Sequence, residues 1–476
     1  MPAELEDPPA ERRVFANRTL NLRSVAAIGY DMDYTLLHYR SEVWEATAFE
    51  HARSLLVSRG YPAGDATFAP DDFIQGLVLD LELGNLVKAT RFGYVIRAQH
   101  GTRQLAFDEV RSNYSGTFVD LGEPRFAFLN TLFSLSEASL YVQLVDKLDE
   151  GLVAGVMGYD DLHRVVKAAL DESHTTGALK AEIVRDPDHY LELDPAVVET
   201  LLDQRAAGKK LMLITNSEWS YTRSMMGYAF DRFVPSGNWR DLFDVVVVAA
   251  GKPRFFEIDE PVYEVVDLER GLLAPHVGVL ELGGVYHGGN ARLVERSLGL
   301  AGDQILYVGD HLFGDVHVSK ATQRWRTALI MRELEADLSS AHDFAADQAK
   351  LVELMEEKAE KEERVAHLRL RLARLRDGRA RRGDRAGDLH REVEGVQARL
   401  RSLDEEITPL AIAAGRLGNP TWGPLMRAGN DKSLFARQVE RHADVYSSRV
   451  SNFGLRTPFA YFRAARTNLP HDQPTL

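Results

Sequence analysis

Five short runs of consecutive apolar residues constrain the fold of this chain more than any other feature of its sequence. They cover residues 25–30, 210–215, 244–249, 304–309 and 327–331. Because the apolar residues are consecutive rather than alternating, both faces of each strand should be covered, as in a parallel sheet between helices. Helix-like stretches, such as residues 195–207 and 290–298, lie between the runs. The sequence therefore predicts an α/β fold built on a Rossmann-like parallel sheet.

The spacing of these runs predicts a large insertion. The first run ends about 180 residues before the second begins, whereas a strand-helix-strand crossover needs only a few dozen residues. We expect residues 1–20 to be a mobile leader and residues 21–40 plus 188–340 to form the α/β core. Residues 41–187 form the inserted segment, which includes a cap domain. The aromatic-rich C-terminal segment, residues 411–476, is expected to pack on the core.

Residues 345–410 have a different pattern, which is typical of a coiled coil. One heptad register places apolar residues at its a and d positions, while Glu, Lys and Arg fill most other positions. The apolar positions include Leu351, Leu354, Val365, Leu368, Leu372, Leu375, Leu389, Val393, Val396, Leu400, Leu403 and Ile407. The register is weak at residues 377–384, where glycines favour a turn. We therefore predict an antiparallel helical hairpin, with a continuous coiled coil as the alternative.

Composition excludes several classes of function. The chain has 476 residues, a formal net charge of −14 and no cysteine. The acidic balance argues against a nucleic-acid-binding face, and the lack of cysteine excludes thiolate catalysis and Cys-ligated zinc. No secretory signal and no apolar stretch long enough to span a membrane is found. These features predict a cytoplasmic protein with no membrane or nucleic-acid partner.

Polar residues follow four of the predicted strands, at the sheet edge where open α/β sheets bind ligands. They are Asp31 and Asp33 after the first strand, Thr215, Asn216 and Ser217 after the second, Lys252 after the third, and Asp310 and Asp315 after the fourth. Paired carboxylates suit nucleophilic attack and proton transfer. A hydroxyl with backbone N–H groups suits an anion, and a lysine neutralises phosphate oxygens. The last two aspartates suit Mg²⁺, which prefers oxygen ligands.

Each of these signals alone has an ordinary structural explanation. The Asp31 pair could be a solvated turn, Thr215 a helix N-cap, and Lys252 a surface charge. Their order and their common position at strand ends make a shared site the better interpretation. Together they resemble the four signature motifs of the haloacid dehalogenase superfamily of phosphatases. The carboxylate at Asp33 favours a phosphatase over a dehalogenase within that superfamily.

The resemblance implies a specific mechanism. Asp31 would attack phosphorus and form an aspartyl-phosphate, while Asp33 would protonate the leaving oxygen and then activate water. The phosphoryl group would be held by Thr215 and Lys252. Magnesium would be bound by the Asp31 carboxylate, the Asp33 backbone carbonyl and Asp310, with Asp315 in support. Such a metal offsets the repulsion between the anionic Asp31 carboxylate and the anionic phosphate of the substrate.

Longer strings narrow the resemblance to the cytosolic purine 5′-nucleotidases of the IMP/GMP-preferring type. They include residues 30–36, 215–217, 252–256, 305–315 and 462–465. By this resemblance, Phe133 and His174 would stack on the base, and Lys167, Asp171, Lys180 and Ser217 would contact the substrate. Lys167 replaces an arginine of the group, and the two are not interchangeable at a planar bidentate contact. Residues 167, 171 and 174 also have the spacing of a solvated helix face.

We therefore expect a Mg²⁺-dependent 5′-nucleotidase that acts on purine nucleoside monophosphates, with phosphotransfer to nucleosides as an additional activity. One alternative is a phosphatase for another small phosphorylated metabolite. Another is an assembly protein organised by the coiled coil, with a vestigial site. Because coiled segments often pair between subunits, a dimer or tetramer is expected.

Overall fold

The computed structural model describes residues 8–131, 134–175 and 177–466, with only the backbone described at residues 174 and 175. Within this part of the chain, ten strands form the main sheet. In spatial order they are Phe15–Ala16, Val445–Ser447, Arg326–Ile330, Ile305–Gly309, Ala27–Tyr30, Lys210–Ile214, Val245–Val248, Gly284–Gly288, Val262–Asp267 and Leu272–Pro275. The seven strands from Val445–Ser447 to Gly284–Gly288 run parallel, and the outer ones are antiparallel. The predicted α/β fold with a parallel sheet is confirmed.

Alternate residues of the central strands enter two different hydrophobic clusters. Leu211 and Leu213 belong to one cluster, whereas Met212 and Ile214 belong to the other. Both faces of the strand are therefore buried, which explains why its apolar residues are consecutive. The register pairs Tyr30 with both Leu213 and Val308. The residues that follow these three strands consequently lie at one edge of the sheet.

Helices cover the sheet and connect its strands. Those of the core are Pro195–Ala206, Trp219–Phe230, Arg254–Glu257, Ala291–Leu298, Val318–Gln323 and Leu434–His442. The first of them begins at Pro195, and its N-cap Asp194 accepts a hydrogen bond from Ala196 N at 3.1 Å. A proline at the first position of a helix gives up no intrahelical hydrogen bond, so Pro195 marks in the sequence where this helix begins.

The inserted segment contains a second sheet and its own helices. The strands, in spatial order, are Arg103–Gln104, Val95–His100, Asn85–Ala89, Val78–Asp80 and Phe126–Phe128. The helices are Ser41–Ser58, Phe107–Tyr114, Leu135–Asp149, Tyr159–Thr175, Ala178–Arg185 and Pro187–Tyr190. This segment lies in the same compact unit as the core, which comprises the described residues up to 335 and from 425 onward.

Residues 8–20, which the sequence predicts to belong to a mobile leader, are instead ordered against the C-terminal segment. The strand Phe15–Ala16 pairs with Val445–Ser447. The Arg12 side chain donates to Asn452 Oδ1 at 2.5 Å, and Asn17 Nδ2 donates to the backbone carbonyls of Val439 and Ala443. These contacts join residues 8–20 to a segment that is remote in the sequence, so composition alone does not reveal them. Residues 1–7 lie outside the described residues.

The C-terminal segment supplies an element that the sequence did not predict. Val445–Ser447 forms a parallel strand of the main sheet next to Arg326–Ile330. Further along, Tyr461–Phe462 pairs with Leu20–Asn21. Two more small sheets join His38–Tyr39 to Leu191–Glu192 and Arg427–Ala428 to Asp431–Lys432. No helix in the described ranges is long and apolar enough to cross a membrane.

The second compact unit comprises residues 336–424. Two long helices, Ala345–Arg376 and Ala386–Ala414, pack against each other in opposite directions, because Glu357 pairs with Arg399 whereas Arg364, seven residues later, pairs with Glu392, seven residues earlier. The shorter helix Leu334–Asp343 precedes them. Leu354, Leu403 and Ile407 form a buried cluster between the long helices. The chain therefore reverses at the glycine-containing turn, while the coiled-coil supertwist stays a prediction.

Candidate active site

Asp31 lies at the centre of the sheet edge, immediately after the strand Ala27–Tyr30. Its backbone N–H continues the sheet by donating to Val308 O at 2.9 Å. The carboxylate Oδ1 accepts a hydrogen bond from Met32 N at 2.8 Å and lies 2.9 Å from Lys252 Nζ. Burial raises the pKa of Asp31 to about 6, although Lys252 opposes this rise. The side chain is thus ionised near neutral pH while it stays largely shielded from water.

Asp33 lies in a separate hydrogen-bond network. Its Oδ1 accepts from Tyr39 OH and its Oδ2 from Ser217 Oγ, each at 2.6 Å. Lys180 Nζ donates to the same Ser217 Oγ at 3.2 Å. Burial raises the pKa of Asp33, against the opposing charge of Lys180 and these hydrogen bonds. A carboxyl with a raised pKa and two polar partners suits transfer of a proton in both directions.

Residues 215–217 form the turn after the strand Lys210–Ile214. Thr215 is buried, and its Oγ1 accepts from Ser217 N at 3.1 Å. Asn216 makes a two-way contact with the main chain of Lys252: its Nδ2 donates to the carbonyl at 3.1 Å, and its Oδ1 accepts from the amide at 2.7 Å. Asn216 therefore positions the main chain of Lys252. The sequence did not predict this contact.

Lys252 connects two of the predicted carboxylates. Its ammonium lies 2.9 Å from Asp31 Oδ1 and 2.8 Å from Asp315 Oδ1, and donates to Tyr307 OH at 3.0 Å. The side chain is only 4% exposed. Burial lowers the pKa of Lys252, but the charges of Asp31 and Asp315 outweigh burial and hold it well above its usual value. Lys252 is therefore a fixed cation at the site rather than a solvated surface residue.

The turn after Ile305–Gly309 brings Asp310 and Asp315 to the same place. A π-helical turn, Leu312–His317, carries Asp315, whose Oδ2 accepts from His311 N at 3.2 Å. At Gly309 a Cβ atom would come within 2.5 Å of this oxygen, so only glycine allows the turn to close here. Burial raises the pKa of Asp310 well above its usual value, and the charges of Asp31 and Asp315 add to the rise.

The three carboxylates Asp31, Asp310 and Asp315 form a potential metal site. One oxygen from each lies within 4.8 Å of the others. The donor set consists of hard oxygens. Neighbouring carboxylates add to the raised pKa values of Asp31 and Asp310, and a divalent cation would oppose that effect, so the residues fit Mg²⁺. The Asp33 carboxylate is not part of this cluster, because it is engaged by Tyr39 and Ser217.

A cavity of about 900 Å³ opens above these residues. Its lining includes Lys167, Asp171 and Lys180 from the inserted segment, three residues that the resemblance assigns to contacts with a substrate. Their settings differ. Lys167 and Asp171 are 53% and 66% exposed and form an i,i+4 ion pair of 3.9 Å. Lys180 instead lies close to the reacting groups, with its ammonium 4.8 Å from the Tyr221 ring centre. Phe133 and the His174 side chain lie outside the described residues.

Several residues of the site gave no signal in the sequence. Tyr39 holds Asp33 and also contacts Tyr221 through their hydroxyl groups, 3.0 Å apart. Tyr307 links Lys252 to the strand carbonyl of Ile214. Tyrosines within apolar runs look like core residues, and only tertiary structure directs their hydroxyl groups to the site. His163 also lines the cavity, and its Nε2 lies 2.7 Å from Glu137 Oε1.

Comparison with known proteins assigns the family. The sequence matches the family model described as 5′ nucleotidase family over residues 14–474. The chain belongs to the 5′-nucleotidase family. It is 27% identical to the human 5′-nucleotidase domain-containing protein 2 over 485 aligned positions, covering 97% of this chain and 85% of the relative. A 5′-nucleotidase domain-containing protein of Dictyostelium discoideum is 26% identical and covers 96% and 74%, respectively.

Solved structures with similarity to this 5′-nucleotidase family member include haloacid dehalogenase-type hydrolases. A predicted phosphoglycolate phosphatase from Haemophilus somnus is 15% identical, with a TM-score of 0.28 over 64% of this chain and 85% of its own. A haloacid dehalogenase-like hydrolase from Xanthomonas campestris is 14% identical, with a TM-score of 0.25 over 64% and 82%. The family assignment itself rests on the match over residues 14–474. It confirms the predicted enzyme class, a phosphatase of the 5′-nucleotidase type.

Proposed function

We propose that the protein is a Mg²⁺-dependent 5′-nucleotidase that hydrolyses purine nucleoside 5′-monophosphates through an aspartyl-phosphate on Asp31. One observation carries the proposal. Asp31 lies beside a buried lysine and close to two further carboxylates in the lining of the cavity, with Asp33 two residues away in the chain. This arrangement supports attack on an anionic phosphorus, which needs a nucleophile next to positive charge.

The first chemical step forms a bond between an Asp31 carboxylate oxygen and phosphorus and breaks the bond from phosphorus to the 5′ oxygen. Asp33 in its protonated form donates its proton to that leaving oxygen, so the nucleoside departs neutral. The burial that raises its pKa favours this form. Lys252 neutralises the charge that develops on the phosphoryl oxygens.

In the second step Asp33 acts as a base. It removes a proton from water, the resulting oxygen bonds to phosphorus, and the bond between phosphorus and the Asp31 oxygen breaks. Inorganic phosphate leaves, and Asp33 is protonated again. If a nucleoside hydroxyl replaces water in this step, the phosphoryl group passes to the nucleoside, so phosphotransfer needs no further catalytic group.

Mg²⁺ would be held by Asp31, Asp310 and Asp315, with the backbone carbonyl of Asp33 implied by the family resemblance. When bound, it supplies charge neutralisation between the nucleophile and the phosphoryl group. The protein's own contribution is to fix these carboxylates through Met32 N, Lys252 and His311 N. Thr215 and Ser217 supply hydroxyl groups beside the same position.

The inserted segment supports a nucleotide as the substrate. The cavity volume of about 900 Å³ exceeds what a phosphate needs and lies within the range typical of small-molecule sites. Phe128 and Phe313 line it, with ring centres 5.9 Å apart, and provide flat apolar surface for a base. Lys167 and Asp171 provide a hydrogen-bond donor and an acceptor for its polar edge. These features favour a 6-oxopurine, with O6 as acceptor and N1–H as donor.

The test is phosphate release from a panel of phosphomonoesters with and without Mg²⁺. The panel contains IMP, GMP, AMP, pyrimidine monophosphates and sugar phosphates, and Asp31→Asn is compared with the exposed control Asp303→Asn. We expect Mg²⁺-dependent release that favours IMP and GMP, full activity of the control and none of Asp31→Asn. Turnover of sugar phosphates alone would refute the purine assignment, and an active Asp31→Asn protein would refute the mechanism.

A further inference from the structure

The two oxygens of the Asp33 carboxyl group have different surroundings. Oδ1 accepts a hydrogen bond from Tyr39 OH and Oδ2 accepts one from Ser217 Oγ, each at 2.6 Å. Asp33 and Ser217 line the cavity, and Tyr39 is not among the described residues that do so. One oxygen is therefore bound on the protein side of the carboxyl group and the other on the cavity side.

The Tyr39 hydroxyl group is fixed by its surroundings. The side chain is buried, with its ring centre 4.4 Å from that of Trp44, and its hydroxyl oxygen lies 3.0 Å from that of Tyr221. Because Tyr39 gives its one hydroxyl hydrogen to Asp33, Tyr221 is the donor in this second contact. Burial and the charge of Asp33 hold the pKa of Tyr39 well above its usual value, so Tyr39 remains a donor.

Ser217 is a more exchangeable partner than Tyr39. Its Oγ also accepts from Lys180 Nζ at 3.2 Å and lies in the cavity lining, within reach of a bound molecule. A carboxyl oxygen that carries the proton becomes a donor, so a proton on Oδ2 would reverse the hydrogen bond with Ser217. The hydrogen bond from Tyr39 to Oδ1 is compatible with both protonation states of the carboxyl group.

We propose that Tyr39, held by Tyr221, is a positioning residue that keeps Asp33 Oδ1 on the protein side and leaves Oδ2 as the oxygen that transfers the proton. This assignment rests on the proposed function, in which Asp33 is the acid and then the base. As the bond from Asp31 to phosphorus forms and the bond from phosphorus to the 5′ oxygen breaks, the proton passes from Oδ2 to that 5′ oxygen. In the second step, Oδ2 takes a proton from water. Oδ1 accepts from Tyr39 throughout, so the carboxyl group need not turn between the steps.

A positioning role and a purely structural role for Tyr39 predict different results. A hydroxyl group that only supports the fold affects all substrates alike, whereas one that orients Asp33 affects only substrates whose leaving group needs a proton. A thiolate leaves without protonation far more readily than an alkoxide. The analogue of IMP in which sulfur replaces the bridging 5′ oxygen keeps the base, the ribose and the phosphate but removes the need for the acid.

The experiment compares kcat/KM for IMP and for this sulfur analogue, using the full-length protein with Mg²⁺. This ratio covers the steps up to the first bond cleavage, so the later action of Asp33 on water does not enter it. Asp33→Asn should lower kcat/KM for IMP by about 10²–10⁴-fold and leave that for the analogue within about threefold. Tyr39→Phe should lower the value for IMP by about 10-fold to 100-fold, as expected for a misplaced group, and spare the analogue. Tyr221→Phe should act in the same direction with a smaller loss.

Tyr114→Phe is the matched control. Tyr114 is also buried, donates to Asp80 Oδ2 at 3.0 Å and accepts from Asn85 Nδ2 at 2.9 Å. It is not among the described residues that line the cavity, so both kcat/KM values should stay at the wild-type level. Circular dichroism verifies that each variant is folded. If Tyr39→Phe does not fold, Tyr221→Phe, which retains the Tyr39 hydroxyl group, provides the test.

The positioning role is overturned if Tyr39→Phe slows both compounds equally, or neither, while Asp33→Asn still slows IMP alone. That result would leave the proposed mechanism intact. If Asp33→Asn cleaves IMP like the wild type, Asp33 is not the acid, and the positioning role is refuted with it. If the wild type cleaves neither compound, the purine assignment is wrong. The same variants are then compared on an alkyl phosphate and on 4-nitrophenyl phosphate, whose leaving group also needs no proton, with the same criteria.

Discussion

The two sides of the cavity are built differently. On the core side, Lys252 is 4% exposed and held by two carboxylates and a tyrosine. On the inserted side, Lys167 is 53% exposed and has one long ion pair with Asp171. A buried charge needs its partners in the free protein, whereas an exposed pair contributes little to stability and can exchange its partner for a ligand. The core side is thus preorganised for phosphoryl chemistry, and we propose that the inserted side recognises the part of the substrate to which the phosphate is attached.

The strongest test of this comparison removes the nucleophile. Asp31→Asn should lower kcat by about 10⁴-fold or more, because the proposed covalent intermediate forms on the Asp31 carboxylate. Binding of the product phosphate should survive, since Lys252 and Thr215 remain. Phosphate release and isothermal titration with inorganic phosphate measure the two effects. Residual turnover within tenfold of the wild type would mean that Asp31 is not the nucleophile.

The second test removes the fixed cation. Lys252→Met should lower kcat by about 10²–10³-fold, the cost typical of losing one charge-stabilising group. The pKa of Asp31, about 6 in the intact site, should rise further because the opposing positive charge is lost. The proposed mechanism requires ionised Asp31, so the acid limb of the kcat profile should move to higher pH.

This profile should be recorded at several Mg²⁺ concentrations. Mg²⁺ should shift the kcat profiles of the wild type and of Lys252→Met toward lower pH. The wild type should keep the lower midpoint at each Mg²⁺ concentration. A Lys252→Met profile with an unchanged midpoint would show that the lysine does not act on Asp31.

A third test examines a buried carboxyl of the inserted side that faces no ligand. Glu45 is fully buried, accepts a hydrogen bond from Ser136 N at 3.0 Å, and burial raises its pKa to about 8. The folded protein therefore holds this proton more tightly than the unfolded chain. The associated stability is complete below about pH 4.5 and is lost as the pH rises through about 8, by a few kcal/mol at most.

Glu45→Gln should abolish that loss, so the free energies of unfolding of variant and wild type should diverge in favour of the variant between pH 5 and 8. Urea unfolding at several pH values measures the difference. Parallel curves would indicate that Glu45 is ionised in the folded protein. The neighbouring exposed Glu42→Gln is the matched control, for which no divergence is expected.

The smallest effect is expected on the exposed side. Lys167→Met should raise KM for IMP and GMP by about threefold to tenfold and leave kcat unchanged, because its contact is the same in the ground and transition states. Its effect on the free energy of unfolding should stay within about 0.5 kcal/mol. Lys167→Arg restores the residue expected from the resemblance and should lower KM. A change in kcat would contradict the division between the two sides.

Much of the core could be read from the sequence because its signal is local. The predicted run at residues 304–309 matches the strand Ile305–Gly309, and that at 210–215 matches Lys210–Ile214. Strands buried on both faces must be continuously apolar, so their ends are marked by the first polar residues. Those same polar residues, Asp31, Thr215 and Asp310, are the ones brought together at the sheet edge.

Elements that depend on distant partners could not be read this way. Val445–Ser447 is only three residues long and is a strand because Arg326–Ile330 and Phe15–Ala16 lie on either side of it. The ordering of residues 8–20 has the same origin. Short segments contain too few residues for a hydrophobic period, so propensity and pattern do not distinguish them from loops.

The sequence by itself determined the parallel sheet, the reversal of the helical hairpin as the favoured alternative, and the set of acidic residues and lysine at the strand ends. Tertiary structure decided which of these residues touch: Lys252 between Asp31 and Asp315, Asp33 with Tyr39 and Ser217, and Asn216 on the main chain of Lys252. The physical reason is the range of each effect. Burial and periodicity act along neighbouring residues, whereas pKa values and hydrogen-bond partners depend on atoms that folding brings together from remote parts of the chain.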